Sequence, residues 1–352
     1  MMRRLDHEAA LRMQAWLGID ISQATFDACL LVLRKTGATG QEAYKEKEYQ
    51  KAFPNTPPGF VKLLRWVESL VPGVLASHAC HFCMEATGAY SQALALFLAE
   101  GLHPVSVGNP ARIKYSGMGE GAANKSDSAD ARRIAHYARK ERPALWRMAQ
   151  PEVRELVALM RRLENIKGHL TQEKNRSSVP GVIPSVQASL DTSIQFLERE
   201  IKKLEQEISA HIDRYPGLKA DKVLLRSVPG IGETLAHWIL AEMPDVSQFA
   251  SAQSVAAYAG LNPRVYQSGT SVHKPTRITK AGNRNLRRSL YMPALCAIQH
   301  NLAVKELFDR LVAKGMARKA AVCAAMRKLL MLAYGVLKNR QIFDYPMAKK
   351  AT

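Results

Sequence analysis

Two short apolar runs each end on an acid, and they constrain the first third of this chain more than any other feature. Trp16-Leu17-Gly18-Ile19-Asp20 is followed by a polar turn and a second apolar run, Phe26 to Leu33; His81-Phe82-Cys83-Met84-Glu85 leads into Ala86-Thr87-Gly88. Runs of this length bounded by turn residues predict strands, the first two joined as a hairpin with Asp20 at the end of its first arm. Asp127 and Asp130 lie in Lys125-Ser126-Asp127-Ser128-Ala129-Asp130-Ala131-Arg132-Arg133, a helix start whose i, i+3 spacing puts both carboxylates on one face. Asp27, in the second strand, is a further candidate ranked behind Asp20.

The segments between these acids follow an order. A polar third strand near Tyr44 to Tyr49 precedes a helix after Pro57-Pro58-Gly59, whose apolar side carries Phe60, Leu63, Leu64, Trp66, Val67 and Leu70. A helix from Tyr90 to Glu100, a short strand Val105-Ser106-Val107 and a flexible loop from Gly117 to Asn124 come after Glu85. Strands first, then strand-helix alternation, is the order of a ribonuclease-H-like (RuvC-like) α/β sheet.

The acids carry weight because the rest of the chain is basic. Its 352 residues hold 50 Lys and Arg against 31 Asp and Glu, a net charge of +19. From Arg264 to Arg340 there are sixteen Lys and Arg against two acids, Glu306 and Asp309, so that stretch alone carries +14. A polyanionic partner is expected, with nucleic acid first, through phosphate neutralisation and counterion release. Carboxylates inside such a protein would repel phosphate unless they held a divalent cation. No membrane span is expected: the longest apolar stretch, Ala320 to Leu337, is interrupted by Arg327-Lys328, and the amino terminus lacks the apolar core of a signal peptide. Five cysteines, Cys29, Cys80, Cys83, Cys296 and Cys323, form no secreted disulfide framework, so a reduced, cytoplasmic protein is expected; a DNA partner would make it nucleoid-associated. His78, Cys80 and Cys83 have zinc-like spacing, but no second pair lies near, and strand alternation would send 80 and 83 to opposite faces.

Beyond residue 150 the pattern changes to helix. Val153, Leu156, Met160, Leu163, Ile166 and Leu170 recur at helical spacing, and after a Pro-Gly break Leu190, Ile194, Leu197, Ile201, Leu204 and Ile208 alternate steps of four and three. That is a coiled-coil seam on a helical hairpin or arm, and a sustained heptad favours a homo-oligomer, dimer or tetramer. From Leu218 onward the sequence is read as helical. Ser227-Val228-Pro229-Gly230-Ile231-Gly232-Glu233-Thr234 resembles the turn of a helix-hairpin-helix motif, where Gly230 and Gly232 would open a helix whose N–H groups hold a DNA phosphate. The expected domains are 1–150, an α/β catalytic domain; 151–216, the coiled-coil hairpin; and 217–352, an all-α carboxy-terminal domain.

A second chemical cluster runs from Ala259 to Ser271 and from Arg277 to Arg288. A serine beside glycine in a loop, flanked by cations, is a possible nucleophile toward phosphate if a base or a metal activates it. On composition alone an ordinary loop is the stronger reading, and Ser268, Thr270 and Ser271 are indistinguishable. Each acid alone also has a plain structural role, such as a turn cap or a surface ion pair. Their joint placement at two strand ends and one helix start is harder to assign to chance.

Taken in order, Gly18-Ile19-Asp20, Glu85-Ala86-Thr87-Gly88, Asn109-Pro110, Lys125-Ser126-Asp127-Ser128-Ala129-Asp130-Ala131-Arg132, Pro229-Gly230-Ile231-Gly232, Tyr266-Gln267-Ser268-Gly269 and Lys280-Ala281-Gly282-Asn283 form a series. The chain thereby resembles the DEDD-type insertion-sequence transposases, which join a RuvC-like domain to a carboxy-terminal serine domain. The resemblance spans about Trp16 to Phe343. It implies that Asp20, Glu85, Asp127 and Asp130 bind Mg²⁺ at the scissile phosphate and that Ser268 is the nucleophile, forming a covalent phosphoserine link to DNA. It also implies donor and target DNA as partners and guidance by a noncoding bridge RNA, with the protein reading backbone shape while base pairing reads sequence. Lys125, Arg264, Arg277, Lys280, Arg287 and Arg288 are the phosphate-contact candidates. The alternatives are a site-specific DNA invertase of the same family, a RuvC-like nuclease or junction resolvase without serine chemistry, an actin-like ATPase, and a catalytically silent nucleic-acid-binding protein.

Overall fold

The computed structural model describes residues 15–35, 44–86, 88–116, 127–243, 245–268 and 272–345. The chain divides into two compact units, Met1–Met148 and Ala149–Thr352.

The first unit is a five-stranded sheet with helices on both faces. Its elements are β1 (Ala15–Ile21), β2 (Thr25–Lys35), β3 (Tyr44–Pro54), α1 (Pro57–Leu70), β4 (Cys80–Glu85), α2 (Ala89–Glu100), β5 (Val105–Gly108), α3 (Pro110–Ser116) and α4 (Asp127–Glu141). The strand order is β3-β2-β1-β4-β5. The β1–β2 and β2–β3 pairs are antiparallel, the β1–β4 and β4–β5 pairs parallel. Period-2 alternation divides β1 between two cores. Ala15, Leu17, Ile19 and Ile21 meet Phe60, Leu63 and Val67 of α1 and Leu94 and Leu98 of α2; Trp16 faces the other way, with Ile134, Ala135 and Ala138 of α4.

Gly18 lets α4 lie directly on β1. A Cβ there would stand 2.1 Å from the Ala131 carbonyl oxygen and 2.2 Å from the Ala135 nitrogen, so any side chain would push the helix off the strand. Cys80 and Cys83 fall in opposite cores, and burial pushes both thiols up, Cys83 to about 12. Neither is a thiolate ready for zinc.

The second unit is mostly helical. It contains α5 (Pro151–Ser177), α6 (Pro184–Arg214), α7 (Pro216–Arg226), α8 (Glu233–Glu242), a 3₁₀ turn at Val246–Gln248, α9 (Ala252–Tyr258), β6 (Pro263–Ser268), β7 (Val272–Ile278), α10 (Arg284–Ser289), α11 (Tyr291–His300), α12 (Leu302–Ala313) and α13 (Arg318–Asn339). Proline opens α5, α6 and α7, where its missing N–H costs nothing and its fixed φ suits the first turn. Helices α5 and α6 pack together. Their proximal parts (Leu156, Met160, Ile208, Ile212) share one core with Leu235 and Ala236 of α8 and Leu329 and Leu330 of α13. Leu190, Ile194 and Leu197, nearer the Pro-Gly break, are half-buried. Helix α13 is long and apolar enough to cross a membrane, but 61% of its most apolar window is buried inside this unit.

The expectation of helix from Leu218 onward needs one correction, since β6 and β7 form an antiparallel hairpin within that stretch. Val265, Tyr266, Val272, Thr276 and Ile278 are strand formers on either side of Ser-Gly-Thr-Ser in the sequence. Interleaved Pro, Lys and Arg hide their alternation.

Candidate active site

Strand register brings the first two acids together. Ile19 of β1 is paired with Met84 of the parallel β4, so the next residues along the two strands are Asp20 and Glu85. Ile19 and Met84 both point into the α1/α2 core, and alternation turns Asp20 and Glu85 to the α4 face. On the other side, Asp27 of β2 is the register partner of Asp20. Helix α4 starts at Asp127 and carries Asp130 one turn later, half-buried. The Asp127 carboxylate lies outside the described residues.

Electrostatics link the sheet acids to the helix. Glu85 titrates above its ordinary value, first because it is partly buried and second because Asp130 is negative, with Arg133 opposing. Arg133 itself is bonded to Asp130. Crowded carboxylates at two strand ends and a helix start, one already drawing a cation, are a hard-oxygen donor set that suits a divalent metal ion.

A second acidic group sits farther back on the same face. Ligand atoms of Glu46 and Glu48 on β3 and His136 on α4 lie within 4.8 Å of one another. Here the charges are already balanced. Arg132 Nε is 2.7 Å and His136 Nε2 3.0 Å from Glu48, and Arg139 pairs with Glu46. Burial raises the Glu48 pKa, but the hydrogen bonds from Arg132 and His136 outweigh it and leave it lowered. We read this group as an ion-pair ladder tying edge strand β3 to α4. The sequence reading passed over it, although Lys45-Glu46-Lys47-Glu48 in a strand puts both acids on one face.

A buried pair supports β4. His81 Nε2 is 2.8 Å from Ser106 Oγ of β5, and that hydroxyl donates its proton toward the Ala144 carbonyl at 2.8 Å. His81 is therefore the donor to Ser106 and stays neutral, burial pushing its pKa down to about 4.

In the second unit Ser268 closes β6, in register with Val272. Its side chain and residues 269–271 lie outside the described residues, as does Lys125. Arg264 and Arg277 are exposed register partners at the base of the hairpin. Lys280 is exposed in a left-handed conformation, φ 55°. Arg287 is half-buried and donates from Nη1 to the Ala259 carbonyl at 2.9 Å, so part of its donor capacity serves the fold. Arg288 is 67% exposed and pairs with Glu164 of α5. Gly230 lies against Ala297 of α11, and Gly232 is the N-cap of α8 with open space beside it.

Comparison with known proteins matches both units. A transposase family model, the DEDD transposase of IS110, covers residues 17–178, and the model of the IS116/IS110/IS902 transposase family covers residues 222–309. The pilin gene-inverting proteins of Moraxella lacunata and Moraxella bovis are 33% and 32% identical to the chain, each over 94% of it and 98% of the relative. An uncharacterised 43.6 kDa protein of insertion element IS110 from Streptomyces coelicolor is 28% identical over 47% of the chain and 40% of that protein. Among solved structures, Thermus thermophilus RuvC aligns with 38% of the chain and 99% of its own, at 18% identity and a TM-score of 0.25.

Proposed function

Because the chain belongs to the DEDD-type insertion-sequence transposases, a family of DNA-acting enzymes, we propose that it transposes its element by cutting and rejoining DNA with two sets of residues. Asp20, Glu85, Asp127 and Asp130 would hold divalent metal, Mg²⁺ in the cell, and Ser268 would be the nucleophile. One observation carries the metal half: parallel register sets Asp20 beside Glu85 on the α4 face, and the Asp130 charge is felt at Glu85. A bound divalent ion supplies charge neutralisation at the phosphoryl oxygens.

The chain's own groups do the rest. Ser268 Oγ forms a bond to phosphorus and loses its proton, while the bond from phosphorus to one sugar oxygen breaks and that oxygen takes up a proton. Rejoining runs the same exchange in reverse, with a sugar hydroxyl displacing the serine oxygen. A phosphodiester is kept throughout, so strands are exchanged rather than hydrolysed. Arg264 and Arg277, exposed register partners at the base of the hairpin, put two cations on one edge near Ser268, in keeping with a phosphate-facing surface. With Lys125, Lys280, Arg287 and Arg288 they form the phosphate-contact set, and Gly230 and Gly232 offer the α8 amino terminus to a backbone phosphate.

The finer partners follow from the family resemblance: a bridge RNA that pairs with donor and target DNA, and a homo-oligomer assembled through α5 and α6. The half-buried Leu190, Ile194 and Leu197 and the exposed Phe196 support the oligomer. The division into a catalytic domain 1–150, a hairpin 151–216 and a serine domain 217–352 belongs to the same proposal.

The test is excision of the native element from a plasmid, read by PCR across the circle junction. Wild type should give product, and Asp20→Ala and Ser268→Ala none, while both variants still bind DNA. Product from Ser268→Ala would leave a metal-only nuclease or transposase. A flipped segment with no circle would mean inversion, the activity for which the Moraxella relatives are named.

A further inference from the structure

The hairpin that ends at Ser268 has its base closed by two interlocked turns. Ala259-Gly260-Leu261-Asn262 leads into β6, and Thr279-Lys280-Ala281-Gly282-Asn283 leaves β7. The backbones bond directly: Thr279 N to Asn262 O at 2.9 Å, Lys280 N to Gly260 O at 3.1 Å and Asn283 N to Tyr258 O at 2.6 Å. Both turns need their glycine, Gly282 for space and Gly260 for its left-handed backbone and close neighbours. A Cβ on Gly282 (φ 148°) would stand 2.3 Å from the Tyr258 oxygen, and one on Gly260 (φ 70°) 2.6 Å from Arg287 Nη1.

A single carboxylate holds the exit side of this lock. Glu242, the last residue of α8, accepts from Asn283 Nδ2 at 2.7 Å and from Asn285 Nδ2 at 3.0 Å. Asn283 in turn caps α10, its Oδ1 accepting from Leu286 N at 2.9 Å. Among the described residues no Lys or Arg forms an ion pair with Glu242, although the surrounding sequence is rich in both. A half-buried carboxylate that binds two neutral amides instead of a cation serves geometry rather than charge balance.

We propose that Glu242 is the positioning residue of the serine hairpin, setting the angle at which β6 and β7 leave the helices and so where Ser268 stands. The proposal rests on the reading of Ser268 as nucleophile. Leverage makes the angle matter. An arm of six residues is about 20 Å long, so a tilt of about 3° at the base moves the tip by about 1 Å. An error of that size can cost on the order of 100-fold in rate.

The test uses the full chain in cells that carry its own element on a plasmid. Protein–DNA adducts that survive denaturation are recovered and quantified for wild type, Ser268→Ala, Glu242→Ala and Glu242→Gln. Affinity for the element DNA and hydrogen exchange across residues 263–278 are measured on the purified proteins. Glu242→Ala should lower the adduct by about 100-fold, leave DNA affinity within about threefold, and speed exchange in the hairpin. Glu242→Gln keeps a carbonyl for Asn283 and can donate to a reoriented Asn285, and should recover most of the adduct. If Glu242→Ala does not fold, Glu242→Asp, whose shorter arm reaches one amide, takes its place with a drop of about tenfold. Adduct at the wild-type level in Glu242→Ala or Glu242→Asp overturns the proposal, and so does Glu242→Gln behaving like Glu242→Ala. If wild type itself forms no adduct, the serine reading fails and exchange decides the clamp. Faster exchange in Glu242→Ala then keeps it, and unchanged exchange overturns it.

Discussion

The two units place their candidate reactive groups by different physics. In the first, Asp20 and Glu85 are neighbours because a backbone ladder makes them so, and α4 is laid on that ladder by the absence of a side chain at Gly18. In the second, Ser268 stands at the end of a hairpin that is two-stranded among the described residues, and the base of that hairpin is held by backbone bonds between two turns and by side-chain amides. A ladder shares its load over many equivalent bonds. The hairpin base adds a side-chain clamp to a short set of turn-to-turn backbone bonds, so single substitutions should act on fold in the first unit and on geometry at that base in the second.

The largest effect should come from Gly18→Val. With a helix backbone 2.1 Å from the new Cβ, relief needs α4 to move, and the cost should exceed about 3 kcal/mol. Urea denaturation measures it, and wild-type stability would refute the contact between β1 and α4. Acid should come next. His81 is neutral in the fold with a pKa of about 4, against 6.5 when unfolded. Its folded value is depressed, so its contribution is whole above about pH 6.5 and is lost as pH falls toward 4, by at most about 3 kcal/mol. Denaturation midpoints at pH 7 and pH 4.5 should differ for wild type, and differ less in His81→Gln.

In the second unit the sharpest stability test is Asn301→Ala. That buried side chain donates to the Pro229 carbonyl at 3.0 Å and accepts from Val304 N at 3.3 Å, so removing it should cost about 1–3 kcal/mol. Thermal melting checks it, and no change would mean that the turn before α8 is held by other contacts. The smallest effect should be Arg288→Ala. Its pair with Glu164 is exposed, so stability should stay within about 0.5 kcal/mol. The salt dependence of DNA binding should nevertheless fall by about one counterion. An unchanged slope would remove Arg288 from the phosphate-contact set.

Much of the first unit was legible because its signals are local. The apolar runs Trp16–Asp20 and Phe26–Leu33 and the short run to Glu85 correspond to β1, β2 and β4, and the i, i+3 acids fall at the start of α4. The separation of Cys80 from Cys83 also followed from strand period alone. The β6–β7 hairpin escaped because charged residues and proline interrupt its alternation. Glu46 and Glu48 escaped because a solvated charge run and an ion-pair ladder look alike until a helix is laid across them. Arg287 was read from composition as a phosphate ligand, and only the fold shows one of its nitrogens on the Ala259 carbonyl.

By itself the sequence determined which segments become strands and helices in the first unit, and that acids stand at their ends. Those properties are written in side-chain period and in the residues that bound each run. The tertiary structure alone decided which acids are neighbours and which are neutralised. It also decided that a carboxylate 41 residues before Asn283 bonds to that side chain at the base of the hairpin. Such partners are joined by register and close packing between distant segments, and no local pattern encodes a contact whose two halves lie that far apart.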